Sequence, residues 1–172
     1  MKSIARNLPW FLFVLALTAA ATFGYLWQQE RSSANAEDEL RAQATEFIGD
    51  LMSISAETAE ADAEAIKQWA VGDFADEAEI FYGEEAIEAV VELDATTEGE
   101  IRELFVQSLE DGEGSLFAVV DHTVTNANTE EPKTDTVRMS VEMIESEDGW
   151  KVNRVRIFES PGAPQPTEGN GR

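Results

Sequence analysis

Residues 115–126 read Ser-Leu-Phe-Ala-Val-Val-Asp-His-Thr-Val-Thr-Asn, and their alternation decides the fold. Successive side chains of a strand point to opposite faces, so Leu116, Ala118, Val120, His122 and Val124 share one side. Phe117, Val119, Asp121, Thr123 and Thr125 share the other. Upstream, Asp111-Gly112 is a turn signal that joins this strand to one over Glu100–Leu109. Downstream, the loop Ala127–Lys133 holds Asn128 and Pro132 and leads to a third strand, Thr134–Glu145. That strand places Val137, Met139, Val141 and Met143 on one face. Asp148-Gly149 marks the next turn, and Trp150–Phe158 is the fourth strand. Its apolar residues change phase between Trp150/Val152 and Val155/Ile157. A bulge near Asn153-Arg154, or burial of both faces, reconciles them.

Before Thr96 the period is helical. Leu40, Ala44, Phe47, Ile48, Leu51 and Met52 form one apolar stripe. Ser53–Ser55 interrupt it, and Ser55 can cap a second helix with Thr58, Ala61, Ala65, Ile66 and Trp69 inward. Gly72 ends that helix, and Asp73 can cap a third carrying Phe74, Ala78, Ile80 and Phe81. Residues 84–95 read as one further short helix. Helices first and an antiparallel meander second define an α+β chain, with the helices on one face of a curved four-stranded sheet. This order resembles the cone-like NTF2-type fold.

The 20 residues Leu8–Trp27 are uncharged and apolar, preceded by Lys2 and Arg6 with no acid. As a helix they span roughly 30 Å, the thickness of a hydrocarbon core. The basic flank keeps the N-terminus cytoplasmic, and Trp10, Tyr25 and Trp27 suit the two interfaces. A cleavable signal peptide competes, with Ala19-Ala20-Ala21 as its small-residue site. The apolar run continues through Phe23, Tyr25, Leu26 and Trp27, which favours an uncleaved anchor. Both readings export the rest of the chain. The expected organisation is a cytoplasmic stub at 1–7, a transmembrane helix at 8–27 and a juxtamembrane linker at 28–36. A folded domain occupies 37–159, then a disordered Pro/Gly tail 160–172. Nine linker residues reach at most about 30 Å, so the domain stays near the outer membrane face.

The formal net charge is −23. Residues 28–100 hold −18 of it (21 acids against 3 bases) and residues 101–172 hold −7 (14 against 7). Such a surface repels phosphate backbones, so nucleic acid is not an expected partner. There is no cysteine, so neither disulfides nor a lipidated N-terminal Cys is available.

Little in the chain carries chemistry. His122 is the single histidine, and its strand face is apolar, which fits a core or pocket-lining role. Asp121 lies on the opposite face, so the two side chains cannot form a dyad. Tyr82 is the one tyrosine beyond the apolar run, and its neighbour Phe81 suggests packing. The acidic clusters lack the alternating oxygen ligands and central Gly of a calcium loop, and no phosphate loop or nucleophile elbow occurs. No catalytic residue, cofactor or metal is expected. A partner can meet Thr123, Thr125, Arg138, Arg154 and Arg156 on the sheet, and His122 is the remaining contact candidate. A solvated strand face is the plainer account of the arginines.

Four motifs in order resemble the Mce-associated membrane proteins of actinomycete envelopes. They are Gly72-Asp73-Phe74, Asp121-His122-Thr123-Val124-Thr125-Asn126, Pro132 leading into Arg138-Met139, and Gly149-Trp150-Lys151-Val152. With the apolar N-terminal run the resemblance covers about residues 5–158. It implies a non-catalytic, single-pass accessory or scaffold subunit of an Mce-type lipid or sterol import system, with Mce-type subunits as partners. The helical half is more acidic than the resemblance leads one to expect, and the Pro/Gly tail is an extension. The alternative is an exported NTF2-like domain that binds a small apolar ligand in its cone. An enzyme of the same fold would need two or more convergent polar groups there.

Overall fold

The computed structural model describes residues 34–128 and 131–158. The chain divides into a unit of residues Met1–Glu39 and one of Leu40–Arg172, and the sheet and its core belong to the second. The expected transmembrane segment Leu8–Trp27, most of the linker and the tail lie outside the described residues. Among the described residues no helix is long and apolar enough to cross a membrane.

Helix α1 is described over residues 34–52. It is followed by α2 (Ala59–Trp69), α3 (Gly72–Phe81) and α4 (Glu84–Glu92). Four strands come next, β1 (Thr96–Glu110), β2 (Glu113–Thr125), β3 (Lys133–Ser146) and β4 (Gly149–Phe158). They form one antiparallel sheet in the order β1-β2-β3-β4. The α+β expectation with four strands holds, and each strand is longer than the alternation alone suggested.

The apolar stripe of α1 is buried as its spacing predicts, from Leu40 through Met52. It runs the length of the sheet. Leu40 packs on Gly114 at the β1–β2 hairpin, and Met52 packs on Gly99 at the far end. Gly149, at φ +100°, turns the β3–β4 hairpin so that Gln43 Oε1 accepts from the Trp150 amide at 2.8 Å. Opposite α1, the sheet contributes Leu116, Ala118, Val120, Met139, Val141, Met143, Trp150 and Val152 to the same core. Phe47 sits at its centre, edge-on to Trp69 at 6.1 Å and to Phe74 at 5.6 Å.

Bulges keep the inner face apolar. In β4 the register slips between Glu142/Arg154 and Met143/Val152, leaving Asn153 as the extra residue. That bulge returns Val155 and Ile157 to the face of Trp150 and Val152, as the phase change required. Two further bulges in β1 skip Arg102 and Gln107. Ile101, Leu104, Val106 and Leu109, spaced irregularly in sequence, thereby share one face.

Four local expectations need correction. Ser55 does not cap α2, which starts at Ala59 after Thr58. Ser55 instead bridges Thr96, and its amide donates to Asp62 Oδ2 at 3.1 Å. Ile66 is buried and Trp69 packs against the core as expected, but Ala59 and Ala63 are the other buried residues of α2, while Thr58 and Ala61 face solvent. Asp73 lies inside the first turn of α3 and does not cap it, and Ile80 and Phe81 are 74% and 66% exposed.

Candidate functional site

Among the described residues the helices cover one face of the sheet and leave the other open, as antiparallel sheets allow. Register places the outward residues in rows. One row runs Glu103–Val119–Arg138–Phe158, and the next runs Phe105–Phe117–Ser140–Arg156. A third holds Ser115, Glu142 and Arg154. Phe105 and Phe158 are 52% and 46% exposed, and the Phe117 and Phe158 rings lie 6.0 Å apart. An aromatic band thus crosses the outer face from β1 to β4, rimmed by charge. Its members stand at positions 105, 117 and 158, so only the pairing register brings them together.

The expected contact residues separate into different environments. Arg154 is a structural clamp. Its guanidinium donates to Asp73 on α3 and, at 3.1 Å, to Glu142 Oε2 on β3. The hydrogen bond to Asp73, then the charges of Asp73 and Glu142, hold its pKa above the ordinary arginine value. Arg156 lies 3.5 Å from the other oxygen of Glu142. Arg138 shares the outer face beside Phe158. Thr123 is joined to Thr134 by a 2.8 Å hydroxyl–hydroxyl bond, and Thr125 is exposed at the end of β2. Arg102, not singled out by the sequence, lies 3.5 Å from Asp121, which also accepts from Thr136 at 2.9 Å.

His122 is on the inner face and half-buried, paired with Gly99 and Asp135. Burial pushes its imidazole below the ordinary value, and the charge of Asp135 partly opposes this. Tyr82 packs against the core, and burial pushes its phenol up to about 12, so it stays protonated at neutral pH. It lines a small apolar cavity of about 50 Å³ with Ile54, Ala63, Ile87 and Val90. Larger depressions of about 660 Å³ beside α2 and 430 Å³ near Asp148 are open to solvent. His122 lines none of them. Among the described residues there is no buried polar side chain and no cluster of metal-ligating groups.

The fold is NTF2-like, and known structures share it at low sequence identity. The Agrobacterium tumefaciens VirB8 protein matches with a TM-score of 0.59 and 14% identity, over 73% of this chain and 94% of that one. CagV, a VirB8 homolog of the Helicobacter pylori type IV secretion system, matches at 0.58 and 14%, over 72% and 98%. A Novosphingobium aromaticivorans protein provisionally assigned as an aromatic ring hydroxylase matches at 0.53 and 18%, over 73% and 91%. A secretion-system component and a provisional enzyme stand side by side in this comparison, so the likeness establishes architecture alone. No protein family matches the sequence as a family, and no curated protein matches it.

Proposed function

We propose that the chain is a non-catalytic, single-pass membrane protein whose exported domain is an accessory subunit of an Mce-type lipid or sterol import system. The lock of Gly72-Asp73-Phe74 onto β4 carries this reading, because the residues that carry the resemblance are those that set the joint between helices and sheet. The apolar run Leu8–Trp27 supports the anchoring, and the ordered motifs that resemble Mce-associated proteins support the choice of system. Two of those motifs sit at joints of the fold. Gly72-Asp73-Phe74 meets β4 through Asn153 and Arg154, and Gly149-Trp150 meets α1 through Gln43.

The alternative of a small apolar ligand gains no support from the cavity at Tyr82. Its volume of about 50 Å³ is far below the several hundred a ligand pocket takes. Extraction of the full chain in mild detergent, followed by affinity capture, tests the proposal. Mce-type subunits should co-purify. Recovery of the chain alone, or with secretion-type subunits in their place, would overturn the assignment.

A further inference from the structure

The outer sheet face is divided by charge as well as banded by aromatics. Outward positions of β1 and β2 carry Glu98, Glu100, Glu103, Glu110, Glu113 and Asp121 against Arg102. Those of β3 and β4 carry Arg138, Arg154 and Arg156 against Glu142. The acidic half and the arginine half meet between β2 and β3, and the band Phe105–Phe117–Phe158 crosses both. A face acidic on one side and basic on the other is complementary to itself when turned about the right axis.

We propose that this face binds a second copy of the same chain, in a two-fold dimer whose axis runs along the strands between β2 and β3. That axis lays β1 and β2 of one copy over β4 and β3 of the other, so acids face arginines and the aromatic bands meet. An axis running across the strands would lay the acidic half on its own copy.

Anchoring selects the same axis. Leu40 and Gln43 place the start of the sheet-bearing unit at the hairpin end of the sheet, beside Gly114 and Trp150. An axis along the strands puts both starts at one end, where two chains arriving from one membrane must enter. An axis across the strands puts them at opposite ends. This second argument rests on reading Leu8–Trp27 as an anchor; the charge division does not.

The test uses the full chain in detergent, with mass measured by sedimentation. Wild type should be dimeric at micromolar concentration. Phe158→Asp should weaken the dimer at least about tenfold, because it places a charge in the aromatic centre. Phe81→Asp, on the exposed end of α3, should leave it unchanged. Glu103→Arg and Arg156→Glu should each weaken self-association, and an equimolar mixture of the two should recover a heterodimer. All four substituted side chains are exposed, and circular dichroism melts check that folding survives. A monomeric wild type, a dimer indifferent to Phe158→Asp, or a tighter dimer with Glu103→Arg would overturn the proposal. Loss of the dimer with Mce-type subunits still captured separates this inference from the proposed function. An intact dimer that captures none of them fails the function alone.

Discussion

Asp73, in the first turn of α3, accepts a hydrogen bond from Arg154 of β4, 81 residues later in the chain. Arg154 also reaches Glu142, so one guanidinium ties a helix to two neighbouring strands. Its planar fork suits this geometry, and a lysine ammonium cannot reproduce it. Urea denaturation should therefore rank wild type above Arg154→Lys, and Arg154→Lys above Arg154→Met. The pair lies at the surface, so the gaps should narrow in 1 M salt. Equal midpoints for all three chains would remove the clamp from the account.

The same joint depends on Gly72. Its φ is +53°, and a Cβ there would overlap the side chain of Asn153, the bulged residue of β4. The Val71 amide meanwhile donates to Val152 O at 2.8 Å, fixing the loop against the strand. Gly72→Ala should cost about 1–2 kcal/mol for the left-handed backbone, plus the overlap with Asn153. Asn153→Ala should recover the steric part and leave the backbone part. A double-mutant cycle by urea denaturation measures the split, and strict additivity would mean that the two residues do not touch.

Where one period ran unbroken, the sequence was readable. The stripe of α1 has a single phase, and the meander alternates between Asp-Gly turns, so both stand as read. The phase change in β4 even located its bulge. In α2, by contrast, Ala59, Ala61, Ala63 and Ala65 alternate with polar residues, and no face is marked by size. Contact with the core selected Ala59, Ala63 and Ile66. Ile80 and Phe81 are apolar without being covered, while Tyr82 beside them packs against the core. At the site, the outward direction of Phe117 was legible from strand alternation. Its partners Phe105 and Phe158, and the bond from Arg154 to Asp73, depend on register and tertiary packing that no local pattern records.

Phe47 tests how far the core depends on one aromatic. It is fully buried and contacts both Trp69 of α2 and Phe74 of α3, so it joins three helices. Phe47→Ala should lose about 3–5 kcal/mol, a large share of the roughly 5–15 kcal/mol typical of a domain. Phe47→Leu should lose less, because it keeps most of the volume. Thermal melts in near-ultraviolet dichroism would follow the loss of the Trp69 environment. An Ala variant as stable as wild type would mean that the helices are held chiefly by other contacts.

His122 gives the domain a pH dependence of predictable sign. Burial lowers its pKa in the folded chain, while the unfolded chain keeps an ordinary value of about 6.5. Above that value both states are neutral and the residue contributes no slope. As pH falls below it, the unfolded chain takes up the proton first, so stability drops until the lowered folded pKa is passed. It is the only histidine, so the slope just below about pH 6.5 belongs to it, before the carboxylates titrate. His122→Gln should flatten the urea midpoint just below about pH 6.5. Asp135→Asn removes the charge that raises the pKa, and should extend the fall to lower pH. A slope unchanged by His122→Gln would show that the imidazole is as well solvated in the fold as outside it.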